Sequence, residues 1–152
     1  MSVGSRIGIV GYGRFGAALS ALLQERGHSW HGWDPVVVVP ANHGVDDLDC
    51  LLSQSDLIIV AVPVSTFEGV LRGLRPKLDH RHAVMDVCSV KQGPCQLMED
   101  VLGAEIAHVG SHPLFGPLSI ARAEPLRTVL CTSPLHPAAA LQARNLFESI
   151  GS

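Results

Sequence analysis

Short apolar runs alternate with amphipathic segments along this sequence, and this alternation limits the possible folds more than any other feature. Residues 6–10 form an apolar run that ends in glycines, and apolar residues at helical spacing follow it as far as Leu23. Gly27 suits the end of that helix, and residues 29–34 are predicted to form the next strand. One βαβ unit is then complete, and its two strands are expected to be parallel.

The same alternation continues to the end of the chain. Further strands are predicted at residues 56–62, 82–87, 105–110 and 127–132. A capping-box pattern at residues 65–68 predicts a helix start, and Pro94 and Gly103 suit the first turn and the end of the helix that follows. Near-continuous apolar strands are typical of parallel sheets. The sequence therefore predicts an α/β fold of the Rossmann type, a doubly wound, mostly parallel sheet with helices on both faces.

Residues 35–50 are the stretch whose structure is hardest to predict. They include four consecutive valines, Val36 to Val39. These valines could extend a strand or line a pocket, and both interpretations stay open.

Composition excludes several classes of protein. The chain has 152 residues, the usual size of one domain, and its 16% charged residues and net charge of −3 give no nucleic-acid footprint. No apolar stretch reaches the ~18 residues of a membrane span. A small molecule is therefore the expected partner, with no nucleic acid and no membrane.

The cysteines and histidines show no metal-binding pattern, so no metal is predicted. The four cysteines lack CxxC spacing and are predicted to be reduced, mostly buried thiols; they are Cys50, Cys88, Cys95 and Cys131. Residues 1–4 lead directly into the first predicted strand. The expected location is the cytoplasm.

A glycine motif lies between the first predicted strand and helix. It consists of Gly11, Tyr12, Gly13, Arg14, Phe15 and Gly16. In a GxGxxG turn the first glycine allows the tight turn, the second lets the backbone approach a pyrophosphate, and the third lets helix and strand pack closely. The free N–H groups of the first helical turn then face the phosphate charge. The motif alone is a weak signal, but its place between a strand and a helix strengthens it.

An acidic residue supports the same interpretation. Asp34 lies 18 residues beyond Gly16, at the end of the second predicted strand. There it is expected to accept hydrogen bonds from the adenosine ribose and to repel the extra phosphate of NADP, so NAD is the predicted cofactor. The alternative is a glycine-rich turn with Asp34 capping a strand end. Val62 and Pro63, which end the third predicted strand, are weaker cofactor contacts that a plain strand terminator explains equally well.

Two further motifs follow the carboxyl ends of predicted strands, where open α/β sheets bind ligands. They read DVCSVK at residues 86–91 and GSHPLFGP at residues 110–117. In this order after GxGxxG, they resemble the DxxSVK and GxHPMFGP segments of the prephenate and arogenate dehydrogenase family of tyrosine biosynthesis. The Leu114 position, methionine in the family, conserves volume and polarity. The resemblance spans essentially the whole chain.

This resemblance implies an activity and two catalytic residues. The activity is the NAD-dependent oxidative decarboxylation of a cyclohexadienol acid, toward 4-hydroxyphenylpyruvate from prephenate or tyrosine from arogenate. By the same resemblance His112 is the base that meets the ring hydroxyl, and Ser89 is the hydroxyl that orients it. An imidazole, whose usual pKa is ~6.5, suits proton acceptance near neutral pH. The alternatives are a loop histidine between prolines and a serine that satisfies local backbone groups. Lys91 could contact a carboxylate or be solvated.

Family members, by the same resemblance, continue into a C-terminal helical domain that supplies dimer contacts and binds substrate carboxylates. Residues 1–152 are therefore expected to be a single dinucleotide-binding domain without that second domain. The chain is then either a truncation or a stand-alone module that needs a partner chain. Two other functions stay open: a non-catalytic module that binds NAD or a partner, and another reductase of the same fold, of the imine or β-hydroxyacid type.

Overall fold

The computed structural model describes residues 4–152; residues 1–3, which begin the segment expected to lead into the first strand, lie outside that range. Six strands form one sheet: β1 (Ile7–Val10), β2 (Trp30–Trp33), β3 (Leu57–Val60), β4 (Ala83–Asp86), β5 (Ala107–Pro113) and β6 (Thr128–Cys131). The helices are α1 (Arg14–Glu25), α2 (Leu48–Ser53), α3 (Val64–Leu74), α4 (Gln92–Leu102), α5 (Pro117–Ala121) and α6 (Pro137–Ser149), with a 3-10 turn at Arg75–Lys77.

The strand order is β2-β1-β3-β4-β5-β6. The first five strands in this order are parallel, and β6 pairs with β5 in the antiparallel direction. Strands β2 and β3 lie on opposite sides of β1, so the order in which successive strands are added to the sheet reverses at β1. Such a switch point leaves a crevice at the carboxyl ends of the strands, where ligands bind in open α/β sheets.

Apolar side chains of the buried strands pack against helices on both faces of the sheet. Along β3, Leu57 and Ile59 join the core beneath α1 and α6, while Ile58 and Val60 join the core beneath α3 and α4. This alternation follows from the two-residue period of a strand. The predicted Rossmann-type fold, mostly parallel with helices on both faces, is confirmed.

Helix ends agree with the sequence except at α3. Gly27 and Gly103 follow α1 and α4 with positive φ angles of 79° and 57°, a conformation that glycine adopts without strain. The predicted capping box at residues 65–68 is wrong, because α3 already begins at Val64, and its N-cap is Pro63, which makes no side-chain hydrogen bond. The Thr66 hydroxyl donates instead to the Pro63 carbonyl at 3.0 Å.

The uncertain residues 35–50 contain a helix start and a pocket lining. Asp47 caps α2 by accepting the N–H of Cys50 at 2.7 Å. Val36 to Val39 do not extend β2, which ends at Trp33; they line an open cavity beside Asp34. The pocket interpretation of the four valines is therefore the one that holds.

The cysteines are only partly as predicted. All four are free thiols, but Cys88 alone is buried, and the others are half-buried. Within residues 4–152, no helix combines the length and the apolar character that crossing a bilayer would require.

Candidate cofactor site and active site

The three motif glycines differ in what surrounds them. Gly11 has a φ of +99°, and a Cβ placed on it would lie 2.4 Å from the Ala61 carbonyl oxygen. A Cβ on Gly16 would lie 2.4 Å from the Gly11 carbonyl oxygen, whereas a Cβ on Gly13 would meet no atom within 4 Å. The first and third glycines thus allow the turn to pack, and the second leaves open space in front of it.

The other motif residues hold the turn in place and start α1. The Tyr12 ring stacks on Trp30 of β2, with ring centroids 6.0 Å apart and planes 10° apart. Arg14 is exposed at the first position of α1, and Gly13 before it provides no side-chain cap. The first N–H groups of α1 therefore point toward open space, with the positive end of the helix dipole behind them.

Asp34 follows β2 directly and is tied to the glycine turn. Its carboxylate accepts the N–H groups of Tyr12 at 2.7 Å and of Val36 and Val37 at 2.8 Å each. Partial burial works to raise the pKa of Asp34, but the three backbone donors outweigh it and hold that pKa below its usual range. Asp34 is therefore a carboxylate at neutral pH.

An apolar cleft of about 490 Å³ opens beside Asp34. It lies between the end of β2 and the face of α3, and Gly69 and Gly73 on that helix keep its wall flat. Val62 and Pro63 form its far wall. Its size and apolar lining suit a flat heteroaromatic ring such as adenine.

A second cleft of about 430 Å³ lies on the other side of Val62 and Pro63. It brings together the three sequence motifs: Gly13, Arg14 and Phe15 of the glycine turn, Val87, Cys88 and Ser89 of the second motif, and His112, Pro113 and Phe115 of the third. The Phe15 and Phe115 rings are in contact, with centroids 5.9 Å apart, and connect the glycine turn to the third motif. Val62 and Pro63 line both clefts.

His112 belongs to a strand and not to a loop. The sequence predicts that β5 ends at Gly110, but β5 continues to Pro113 because β6 pairs with its last four residues. His112 lies opposite Val129 in this ladder and is half-buried at the cleft, while Ser89 is exposed in the loop after β4. The expected loop position of His112 is therefore wrong, although its place at the carboxyl edge of the sheet is as predicted.

A buried ion pair lies beneath these two residues. The Asp86 side chain is fully buried, and it accepts the N–H of Ser111 at 3.0 Å and the N–H of Cys88 at 3.1 Å. The Lys91 ammonium group pairs with the same carboxylate and donates to the Ser111 carbonyl at 2.6 Å. The sequence leaves the role of Lys91 open, and it predicts no role for Asp86, which is simply the first residue of the DVCSVK motif.

Cys88 also lines the second cleft, and its environment disfavours the thiolate. Burial, with a further contribution from the Asp86 carboxylate, raises the pKa of the Cys88 thiol to about 11. Because the thiolate is the nucleophilic form, Cys88 is unsuited to covalent catalysis near neutral pH. In the part of the chain that the structure describes, no group of three or more potential ligand side chains could hold a metal ion.

The glycine turn, the free start of α1 and the Asp34 carboxylate form the cradle of a dinucleotide-binding domain, and the residues present fit NAD. Two family matches agree with this description. Residues 2–68 match the NAD-binding domain of D-isomer specific 2-hydroxyacid dehydrogenases, and residues 41–151 match the nucleotide-binding domain of prephenate dehydrogenases. The chain belongs to the prephenate dehydrogenase nucleotide-binding domain family, and NAD is its cofactor.

Individual proteins resemble the chain in sequence or in fold. Arogenate dehydrogenase 1 of Arabidopsis thaliana is 34% identical over 121 residues, which are 75% of this chain and 19% of that protein. The structure of Synechocystis arogenate dehydrogenase is 26% identical with a TM-score of 0.78, and the match covers 96% of this chain and 57% of that one. Prephenate dehydrogenase from Aquifex aeolicus, in complex with hydroxyphenyl propionate and NAD+, has a TM-score of 0.76 at 20% identity and covers 99% and 58%. The chain thus spans little more than half of these solved chains.

Proposed function

We propose that this chain is the cofactor-binding and proton-accepting part of a prephenate or arogenate dehydrogenase. The observation that carries the proposal is the second cleft, which His112 and Ser89 line together with Gly13 of the glycine turn. A dinucleotide site alone needs neither the histidine nor the GSHPLFGP segment around it. Residues 1–152 are proposed to be one dinucleotide-binding domain of a larger enzyme.

The two clefts give the cofactor a path across the sheet edge. The adenine ring is proposed to enter the apolar cleft beside Asp34, whose carboxylate accepts the ribose hydroxyls. The pyrophosphate then lies over Gly13 at the start of α1, where a Cβ would meet nothing. Val62 and Pro63 separate the two clefts, and the nicotinamide end is proposed to lie beyond them.

The residues of the second cleft suit alcohol oxidation. NAD+, when bound, supplies the hydride acceptor. His112 accepts the proton of the substrate ring hydroxyl, and its position on a paired strand fixes the direction from which it does so. Ser89 donates a hydrogen bond that orients that hydroxyl. Loss of CO2 leaves an aromatic ring, which drives the reaction forward.

The substrate is proposed to need groups beyond this domain. A prephenate-like acid carries two carboxylates, and among the described residues that line the second cleft Arg14 is the one with a permanent positive charge. One guanidinium group cannot neutralise two carboxylates. Further cations are therefore proposed to come from a second domain or a partner chain.

Pathway and location are part of the same proposal. Both products, 4-hydroxyphenylpyruvate and tyrosine, place the enzyme in tyrosine biosynthesis. The four cysteines are free thiols, a state that reducing compartments maintain, and this supports a cytoplasmic location.

Turnover by the natural full-length protein tests the proposal. NADH formation is measured with prephenate and with arogenate, and with a β-hydroxyacid as a comparison substrate, while NADH consumption is measured with an imine as the other comparison substrate. We expect NAD-dependent turnover of one cyclohexadienol acid, with release of CO2. Turnover of a comparison substrate alone would assign the chain to another reductase, and NAD binding with no turnover of any of the four would indicate a non-catalytic module.

A further inference from the structure

We propose that Lys91 and Asp86 are positioning residues for the active site, which hold the strand that carries His112 against the loop that carries Ser89. This inference rests on the proposed function for its catalytic consequence. Its structural part concerns only the geometry of residues in this chain. Neither residue lines the second cleft, so both act through their neighbours.

The buried carboxylate of Asp86 connects β4 and β5 beyond the last backbone pairing of these strands. Strands β4 and β5 are paired from Ala83 to Met85, and their last paired residues are Met85 and Val109. Beyond that point the Asp86 carboxylate accepts the N–H of Ser111, and the Ser111 hydroxyl donates to the Asp86 carbonyl at 2.5 Å. Two side chains thus continue the connection between the strands after the backbone hydrogen bonds have ended.

The same carboxylate also sets the start of the next loop. It accepts the N–H of Cys88 at 3.1 Å, and Ser89 is the residue that follows. Ser111 in turn directly precedes His112. Asp86 is therefore bonded to the immediate neighbour of each proposed catalytic residue.

Lys91 completes the connection from the far side of the loop. Its ammonium group contacts the Asp86 carboxylate and donates to the Ser111 carbonyl, which belongs to the peptide group that joins Ser111 to His112. With its N–H and its C=O both bound, the Ser111 backbone has little freedom to rotate, and this limits the directions open to the His112 side chain.

The burial of this pair sets it apart from the other ion pairs of residues 4–152. The Asp86 side chain has no exposed surface, whereas the carboxylates of the other Lys and Arg pairs in that range are 35–80% exposed. Exposed pairs contribute little to stability, while a buried carboxylate is tolerated only with its charge and lone pairs satisfied. The placement of such a pair beneath the residues that line the cleft indicates that it organises the site.

Variants of the natural full-length enzyme test the proposal. Lys91→Met removes the cation, and Lys91→Arg keeps it. Because Lys91→Met leaves a buried carboxylate unpaired, the double variant Asp86→Asn with Lys91→Met provides a neutral form that is expected to fold. Lys77→Met is the matched control, since Lys77 forms a 2.7 Å pair with the exposed Asp49.

We expect the double variant to lower kcat by about 10- to 100-fold, since a displacement of about 1 Å can cost ~10²-fold. The KM for NAD should change less than about twofold, because the glycine turn and Asp34 make no contact with the pair. Lys91→Arg keeps the cation and should therefore retain more of the wild-type kcat than Lys91→Met does. Lys77→Met should change neither kcat nor the KM for NAD. Unchanged kcat in a folded double variant, or a loss in kcat matched by an equal rise in the KM for NAD, would overturn the proposal.

A second measurement separates this inference from the proposed function. Nuclear Overhauser contacts between the His112 ring and its cleft neighbours report its orientation without turnover, and His112→Asn identifies its signals. We expect these contacts to weaken in the double variant and to persist in Lys77→Met. If the wild type turns over no substrate but the contacts change in the double variant, the positioning role is supported and only the proposed function is contradicted. Unchanged contacts in the double variant would overturn the positioning role.

Discussion

The carboxylate of Asp34 accepts the backbone N–H of Tyr12 at 2.7 Å, so the acid at the end of β2 is built into the glycine turn that follows β1. The residue proposed to choose between NAD and NADP therefore also shapes the turn proposed to hold the pyrophosphate. Substitution of Asp34 is expected to affect both properties, and two variants can separate them.

Asp34→Ser should reduce the preference for NAD over NADP. The charge that repels the extra phosphate of NADP is lost. We therefore expect the dissociation constant for NADP, divided by that for NAD, to fall by about tenfold or more. Calorimetric titration with both cofactors measures this ratio. Asp34→Asn is the control, because it keeps the side-chain shape and one acceptor for the N–H groups; an unchanged ratio in both variants would contradict the role of the charge.

The stability of the protein should depend on Asp34 in a defined pH range. Its folded-state pKa lies below the usual value, so its ionised form is more stable in the folded than in the unfolded chain. The contribution is complete above the usual aspartate pKa and is lost as the pH falls through the lowered value. Urea unfolding measures the free energy of unfolding of the wild type and of Asp34→Asn. The difference between these two free energies should be constant near neutral pH and should shrink only in acid.

Alanine substitutions should distinguish the glycines of the turn. Gly11→Ala places a Cβ against a backbone carbonyl at a positive φ, and we expect a loss of roughly 3 kcal/mol or more in unfolding free energy. Gly13→Ala meets no protein atom, so its melting temperature should stay within about 2 °C of the wild type while NAD affinity falls at least ~10-fold. Gly93→Ala, also free of contacts, is the control. Wild-type NAD affinity in Gly13→Ala would place the pyrophosphate elsewhere.

His112→Asn should lower kcat of the natural full-length enzyme by ~10²-fold or more, because general-base assistance is lost. Ser89→Ala should cost less, since it removes an orienting hydrogen bond and leaves the base. NAD affinity should hardly change in either variant. Steady-state kinetics and calorimetry test this together, and equal losses in the two variants would argue against the assigned roles.

Cys88 should react slowly with alkylating reagents. With its pKa raised to about 11 from an ordinary 9.0, its thiolate fraction at pH 8 is lower by roughly 100-fold, and burial slows access further. We expect the rate of iodoacetamide modification, followed by peptide mass spectrometry, to rise about tenfold per pH unit between pH 8 and 10. The same cysteine in urea is the control. Rapid modification of the folded chain at pH 7 would show an activated thiolate.

The sheet and its cofactor turn were predictable because local patterns decide them. Runs such as residues 57–62 are apolar at every position, a pattern typical of a strand that is covered on both faces. The glycine spacing and Asp34 depend on backbone geometry that few other residues allow. The three motifs also had to meet, since the carboxyl ends of parallel strands lie at one edge.

The parts that sequence reasoning missed depend on contacts between distant segments. The length of β5 is set by β6, whose antiparallel pairing extends the strand past Gly110. The pairing of Lys91 with Asp86 depends on the carbonyl of Ser111, 20 residues away. Short helices α2 and α5 are too brief to show a period, although Asp47 and Pro117 are ordinary signals of a helix start.

The antiparallel addition of β6 has an evolutionary consequence. His112 is held from both sides, by the Asp86 connection to β4 and by the ladder to β6, before the chain enters the connection at residues 114–127. Insertions or deletions in that connection can therefore reshape the rim of the cleft while the imidazole stays anchored. A lineage built on this scaffold can alter the shape of the cleft through loop length alone, while the imidazole proposed as the proton acceptor keeps its position.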